Sequence, residues 1–359
     1  MNPNSVTITG AGLSGLVCGM RLAKAGFSVN IVEELTYPGG LLACTRIGKE
    51  YLEHMPHHLR RTDRALLALI KEAGIAEEVD WFDSLWYGRA SRKKVGYLKG
   101  GFASLINSLI QDITDHGGRI TYSTTVSEII KTDDGYITSC ILNNSAKIEL
   151  ESKYVIFTGS CRSFVNVSHG LPISMNLRDQ LMNITYKASL CIMMVLKKKP
   201  SEVYLHKLPE GMPFNRIVNH SNCVGTRSYG GNIVYLVGAC TVSDNLWVAS
   251  DEEVLEEYFR AFRKIYPGIK KSDIKSWRLT KSRYAVSERF PDQDLTHPLE
   301  GLYICSSALT NIATSDTPNN TMDSVVNLAN EITKTIIATM DNSEKIAETT
   351  SLSDVVAGG

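Results

Sequence analysis

Val6-Thr7-Ile8-Thr9, followed by Gly10-Ala11-Gly12-Leu13-Ser14-Gly15, is a short apolar strand that runs into a glycine-rich turn. A helical pattern continues to about Lys24. A second strand, Val29-Asn30-Ile31-Val32, then ends on the acid Glu33, and Gly39-Gly40 comes just after. Each position has a physical task in a dinucleotide site. Gly10 permits the tight turn, Gly12 has no Cβ to hold a pyrophosphate off the backbone, and Gly15 lets the helix pack close to the sheet. The unpaired N–H groups at the helix start, those of Leu13 and Ser14 among them, lie at the positive end of the helix dipole and hold a diphosphate. Glu33 stands where an acid accepts hydrogen bonds from ribose hydroxyls, and its charge disfavours the 2′-phosphate of NADP.

A chain of 359 residues with 43% hydrophobic content accommodates one cofactor domain with an inserted substrate domain. The formal net charge is +0, which argues against nucleic acid or an anionic membrane as the main partner. No apolar run reaches the roughly 18 residues of a membrane span. The stretch from Ala188 to Leu196 is too short and reads as a buried strand. No basic region precedes the first apolar segment, so no signal peptide is expected. The cysteines, Cys18, Cys44, Cys140, Cys161, Cys191, Cys223, Cys240 and Cys305, form no CxxC pair and are widely scattered. They read as reduced thiols filling the core of a cytoplasmic protein, and no metal site is expected.

Periodicity predicts amphipathic helices over residues 57–75, Ala103 to Asp115 and Asp251 to Tyr266, and a last one from Thr321 to about Ala338. Strands are expected at Ile120 to Ser123, Tyr136 to Leu142, Lys147 to Leu150, Ser189 to Leu196, Ile233 to Val237 and Leu302 to Cys305. Tyr154-Val155-Ile156-Phe157 is a further buried strand, ending at Thr158-Gly159. The aromatic and basic stretch 80–100 reads as a strand or loop pair. The polar tail 341–359 is expected to be flexible. Only one GxGxxG occurs, which implies one tightly bound cofactor and no separate NAD(P)H domain.

Five segments together resemble the FAD-dependent amine oxidase and protoporphyrinogen oxidase-like superfamily, in particular its bacterial oxidoreductase-like subgroup. They are Glu33 with Gly39-Gly40; Tyr51-Leu52-Glu53-His54-Met55-Pro56-His57-His58-Leu59 running on to Asp63; and Gly100-Gly101 and Gly117-Gly118 followed by Val126 and Ile129. The others are Pro213-Phe214 with His220-Ser221-Asn222 and Tyr229-Gly230-Gly231, and Arg283-Tyr284-Ala285 with Gly301-Leu302-Tyr303-Ile304 and the last helix. The resemblance covers residues 5 to 338. It implies an α/β fold: a Rossmann-like FAD-binding domain (1–47, 98–165 and 276–340) with a discontinuous mixed or antiparallel-sheet substrate domain (48–97 and 166–275). It implies FAD as cofactor, held by Gly10, Gly12, Leu13, Ser14, Gly15, Glu33, Gly39, Gly40, Leu41, Val126, Thr158, Gly159, Ser306, Thr321 and Met322. Val126 would reach adenine through its backbone, and the last helix would aim its N-terminus at the flavin. Leu41 stands where relatives commonly have arginine. Ser306-Ser307 replaces a Gly-Asp pair, leaving a hydroxyl for a carboxylate, and the loop Asn311 to Asn320 is longer than usual.

The candidate catalytic residues are His57, His58 and Arg283. The histidines either face the flavin or substrate as proton-transfer groups or cap a helix starting near Leu59. Arg283 either neutralises an anionic substrate group or flavin or forms a structural ion pair. Glu53 is either an orienting acid or a surface one, and His220 and Asn222 line a pocket or belong to the core. Lys281 matches imperfectly the lysine that holds a water at the flavin in amine oxidases, and the aromatic cluster Trp81 to Tyr97 is a pocket wall or core. The leading reading is an FAD-dependent oxidoreductase that removes a hydride from a C–N or C–C bond of a small biosynthetic intermediate, with oxygen or another electron acceptor. The alternatives are a non-redox flavin enzyme of the UDP-galactopyranose mutase type and a non-catalytic flavoprotein subunit.

Overall fold

Strand β1 (Ser5–Thr9) is buried at every residue because it has a parallel neighbour on each side. Its apolar residues therefore need no polar alternation, which is the signature of a central parallel strand. A computed structural model describes residues 1–86, 93–288, 294–310 and 321–357, with the backbone alone described for 93, 321 and 341–357. The chain forms two compact units, each built from separated stretches. The first comprises Met1–Pro38, Leu109–Asn183 and Pro291–Gly359; the second comprises Gly39–Ser108 and Ile184–Phe290.

In the first unit a five-stranded parallel sheet has the order Leu302–Ile304, Tyr154–Phe157, β1, β2 (Ser28–Val32) and Arg119–Thr121. Helix α1 (Leu13–Lys24) connects β1 to β2 and packs against the last helix, Thr321–Ala357. Gly19 of α1 faces Ile31 and Ile113, where an added Cβ would meet the Ile31 side chain at 2.7 Å. A three-stranded antiparallel sheet, Ala146–Ser152, Tyr136–Leu142 and Thr124–Lys131, completes the unit. The fold is α/β and Rossmann-like, as the strand, turn, helix and strand order predicts.

The second unit carries an antiparallel sheet ordered Leu205–Lys207, Arg216–Asn219, Asn232–Cys240, Tyr186–Leu196 and Ile274–Ser287. Tyr186–Leu196 is buried from Ala188 onward because both of its faces are covered. Leu190, Ile192, Met194 and Leu196 pack toward helix Asp251–Ile265, with Val254, Tyr258 and Phe262. Cys191, Met193 and Val195 point the opposite way, toward Leu52, Val95, Tyr204 and Tyr235. The period of two in a strand makes this division unavoidable. Ser250 and Glu253 close a reciprocal capping box at the start of Asp251–Ile265, which satisfies two of its free amides.

Two local expectations change. The helix expected from residue 57 begins at Arg64 and ends at Glu72. Leu59 instead exchanges backbone hydrogen bonds with Gly96, at 2.7 and 2.8 Å, and Asp63 accepts from the Arg60 amide at 2.8 Å. The preceding residues are thus held as an extended strap, and His57 and His58 cap no helix. The last helix continues to Ala357, past the apolar periodicity that suggested an end near Ala338. The loop Asn311 to Asn320, Tyr87, and the side chains of Thr321 and 341–359 lie outside the described residues. No helix among the described residues is long and apolar enough to cross a membrane.

Candidate active site

In the first unit, the sequence-predicted cofactor residues converge at the carboxyl ends of the parallel strands. Gly10 follows β1, Glu33 follows β2, Thr158 and Gly159 follow Tyr154–Phe157, and Ser306 lies just beyond Leu302–Ile304. Chain order reverses across β1, with β2 on one side and Tyr154–Phe157 on the other. Such a switch point opens a crevice for a ligand.

The crevice is closely built. Gly10 has φ +100°, left-handed backbone that favours glycine, and an added Cβ would stand 2.6 Å from the Thr158 hydroxyl. That hydroxyl donates to the Thr9 carbonyl, tying the two turns together. A Cβ on Gly15 would run into the Gly10 carbonyl oxygen. Gly12 is the N-cap of α1 and supplies no side-chain cap, so the first helical amides are left for a ligand. Glu33 is 6% exposed, and its two oxygens accept from Ala11 N at 2.7 Å and Leu35 N at 2.9 Å. Burial still pushes its carboxyl above the usual range. Val126 lies in Thr124–Lys131, whose Thr124 amide donates to the Glu33 carbonyl at 2.8 Å. Ser306 caps the turn Ser307–Leu309. Bare amides at a helix start, a backbone that tolerates no Cβ and a buried acid fit the ADP half of a dinucleotide.

In the second unit, Gly39 has φ +112°, and its Cβ would meet Ala43 backbone atoms at 2.9 Å. Gly40 opens the turn Gly40–Leu42, and Leu41 is exposed. The hairpin Cys44–Ile47 and Glu50–Glu53 follows. Glu53 is 0% exposed, which rules out the surface-acid reading. Its Oε2 accepts from the Tyr97 hydroxyl at 2.7 Å and its Oε1 from Phe102 N at 2.6 Å, while Tyr235 donates to its carbonyl at 2.7 Å. Burial raises the Glu53 carboxyl. Its partners Tyr97 and Tyr235 were not recognised from sequence. The available signal was Gly101, whose missing Cβ would point at Glu53 Oε1 from 2.7 Å.

His57 and His58 are part-buried and keep some accessible surface. His57 Nδ1 lies 2.8 Å from the Met55 carbonyl. A carbonyl only accepts, so Nδ1 carries the proton and Nε2 keeps its lone pair. The His58 ring stands edge-on to Trp86 and Tyr204. Burial pushes both histidines down to about 4, with Arg60 and His57 adding to the effect at His58. Arg283 is exposed on Ile274–Ser287 and makes no ion pair among the described residues. Lys281 Nζ donates to the Trp247 and Ala249 carbonyls at 3.0 and 2.8 Å, which makes it a cap of the Asn245–Val248 turn. Asn222 is likewise structural, donating to the Ser201 carbonyl at 3.0 Å.

A family model described as an NAD(P)-binding Rossmann-like domain matches residues 8–73, and one described as flavin containing amine oxidoreductase matches residues 78–310. The chain belongs to the flavin-containing amine oxidoreductase family. Members are FAD-dependent oxidoreductases, and FAD is the cofactor that the Gly10–Gly15 cradle and Glu33 would hold. The L-amino-acid oxidase of Daboia russelii is 34% identical over 103 residues, 27% of this amine oxidoreductase-family chain and 20% of the snake protein. The chain thus matches one fifth of the length of its curated relatives. An Exiguobacterium sp. 255-15 protein provisionally named protoporphyrinogen oxidase has a similar fold, with TM-score 0.77 and 13% identity over 94% of this chain and 99% of that one. A putrescine oxidase structure with bound putrescine gives TM-score 0.71 and 13% identity, covering 93% and 99%.

The buried histidines make stability acid-sensitive. His54, His57 and His58 are held down to about 4 and His220 to about 3, against an ordinary value of 6.5. Burial lowers His206 as well. Through this window the unfolded chain progressively binds protons at these five histidines that the folded one does not, so stability falls as pH drops. Glu33 and Glu53, both raised, act in the opposite direction but account for at most two protons. The thermal midpoint is expected to fall steeply from pH 6.5 to 4. A flat profile across that window, followed by scanning calorimetry, would show that these rings are not buried neutral.

Proposed function

We propose that this protein oxidises a C–N or C–C bond of a small biosynthetic intermediate, the first unit holding FAD and the second binding substrate. The observation that carries this reading is His57: a part-buried, uncharged imidazole with its proton fixed on Nδ1 and its Nε2 lone pair left to accept. Bound FAD supplies the two-electron acceptor. Nε2 of His57 accepts the hydrogen bond, and then the proton, of the substrate atom next to the carbon being oxidised. Phe102, whose ring lies 6.1 Å from His57 edge-on, helps fix the imidazole plane. Trp86 and Tyr204, edge-on to His58, help fix its ring in the same way. Arg283 is the cation available to an acidic substrate group. Gly39, Gly40, Leu41, Thr321 and Met322 are proposed to contact the flavin half of the cofactor. Oxygen serves as the proposed acceptor, and the widely scattered cysteines, with no CxxC pair, support the cytoplasm as the setting.

Anaerobic titration of the FAD-loaded enzyme with a panel of amines, alcohols and nucleotide sugars tests the reading. An amine or alcohol is expected to bleach the flavin. Turnover of a nucleotide sugar that needs prior reduction, with no net acceptor consumed, would replace it by the mutase reading. With a bleaching substrate in hand, His57→Gln is expected to slow flavin reduction about 100-fold or more, the usual contribution of a positioned acid–base group. Unchanged reduction kinetics would remove His57 from the chemistry.

A further inference from the structure

A groove of about 1030 Å³ runs beside helix Asp251–Ile265 in the second unit. It lies on the helix side of the antiparallel sheet, where Leu190 and Ile192 pack, whereas Tyr204, which meets the His58 ring, packs on the other face. Part of its lining is apolar. Met212 and Pro213 come from the loop before Arg216–Asn219, and Leu246 and Val248 from the turn Asn245–Val248. Val248 is 76% exposed. A branched apolar side chain left so open beside other apolar groups, with charges at the border, marks an interaction surface.

The groove is firmly built. The Lys281 ammonium pins the carbonyls of Trp247 and Ala249, and Asp244 accepts from the Thr241 amide and hydroxyl at 2.8 and 2.9 Å. Val254, Tyr258 and Phe262 anchor one side of the helix in the core. Its other side presents Glu252, Glu253, Glu256 and Glu257 to the groove, as two rows with partners four residues apart. Such neighbours stand about 6 Å apart along a helix. Arg260 pairs with Glu257 at 2.6 Å, and Lys271 pairs with Glu256. Among the described residues no ion pair reaches Glu252 or Glu253, so the first turn keeps its negative charge. A surface already held in place loses little conformational entropy when a partner binds.

We propose that this groove docks a basic amphipathic helix of a partner protein. The apolar stripe of that helix covers Met212, Leu246 and Val248, and its lysines or arginines, four residues apart, meet Glu252 and Glu253. Charge complementarity selects this occupant. The acidic wall repels an acidic helix and an anionic membrane surface alike, and a wholly apolar segment would cover Glu252 without pairing it. A small amine would match one or two acids and leave Val248 in water. Neither the cofactor crevice nor His57 takes part, so the docking surface stands apart from the reading of the chemistry.

Fluorescence anisotropy on the FAD-loaded full chain tests this. The probe is a labelled helical peptide of about four turns, made of leucine, alanine and lysine, with lysines at i and i+4 beside a leucine stripe. Saturable binding in the micromolar range is expected, weakening as salt rises. Glu252→Lys and Val248→Ser change exposed side chains and leave the core intact. Each is expected to weaken binding about tenfold. Glu149→Lys makes the same change of charge at an exposed acid of the first unit and is expected to bind as the native chain does. The same peptide with its residues scrambled is expected to bind about tenfold more weakly than the patterned one. No saturable binding would overturn the proposal, as would native affinity in Val248→Ser. Equal losses in Glu252→Lys and Glu149→Lys would show attraction to net charge alone and overturn it as well. Displacement of the peptide by equimolar spermidine would replace it by a small-amine site.

Discussion

Gly15→Ala is expected to yield protein that purifies without FAD. The added methyl group would run into the Gly10 carbonyl oxygen, with the Gly10 carbonyl carbon at 3.1 Å and Ile8 Cγ2 at 3.4 Å behind it. The oxygen is backbone, so no rotamer change relieves the clash. Relief requires the start of α1 to move away from the end of β1, and those two segments are the proposed diphosphate cradle. Overpacking alone costs about 1–3 kcal/mol. Displaced amides add a loss of FAD affinity of roughly 100-fold, equivalent to about 2.8 kcal/mol. The flavin-to-protein absorbance ratio and the unfolding midpoint read both effects. Gly268→Ala is the control, since nothing lies within 4 Å of a Cβ there. Native flavin content and stability in Gly15→Ala would sink the close-approach account.

Glu53→Ala is expected to destabilise the second unit by roughly 3–5 kcal/mol, measured by urea unfolding near neutral pH. The substitution strands the Tyr97 hydroxyl and the Phe102 amide, both buried, and opens a cavity among them. Glu53→Gln preserves the shape. Its carbonyl can accept from Phe102 N, and its amide can donate to the Tyr97 oxygen once that hydroxyl rotates. A cost within about 1 kcal/mol follows. The pH dependence has a definite sign. Because the folded carboxyl is raised, folded protein binds the extra proton above the unfolded value of 4.5, and its contribution is lost as pH rises toward the folded pKa. Glu53→Gln removes that loss, so its stability relative to native protein should improve with pH. Equal stabilities for alanine and glutamine variants would mean that the hydrogen bonds contribute nothing.

The parts of this protein that were legible in its sequence are those whose geometry is local. Gly10, Gly12 and Gly15 are separated by two and three residues, and a turn between a strand and a helix uses them at that spacing. Glu33 ends the next strand, so β1, α1 and β2 bring it back to Ala11 with no help from distant residues. The double burial of Tyr186–Leu196 is written in its unbroken apolar run. The strap at His57 was not legible in the same way. Leu66, Leu69 and Ile70 do form a helical face, but the pairing of Leu59 with Gly96 takes the preceding residues out of it. Lys281, only an imperfect match in sequence to a flavin-facing lysine, instead donates to the carbonyls of Trp247 and Ala249.

By itself the sequence determined the Rossmann-like order and the family, because strand, glycines, helix and acid follow one another along the chain. The tertiary structure alone decided which polar groups are buried. Glu53 meets Tyr97 across 44 residues of sequence and Tyr235 across 182. Whether a carboxyl is an exposed charge or a raised buried acid, and whether His57, His58 and His220 are cations or neutral acceptors, depends on how much water the surrounding strands exclude. That desolvation is a sum over atoms far apart in the chain, and no local spacing encodes it.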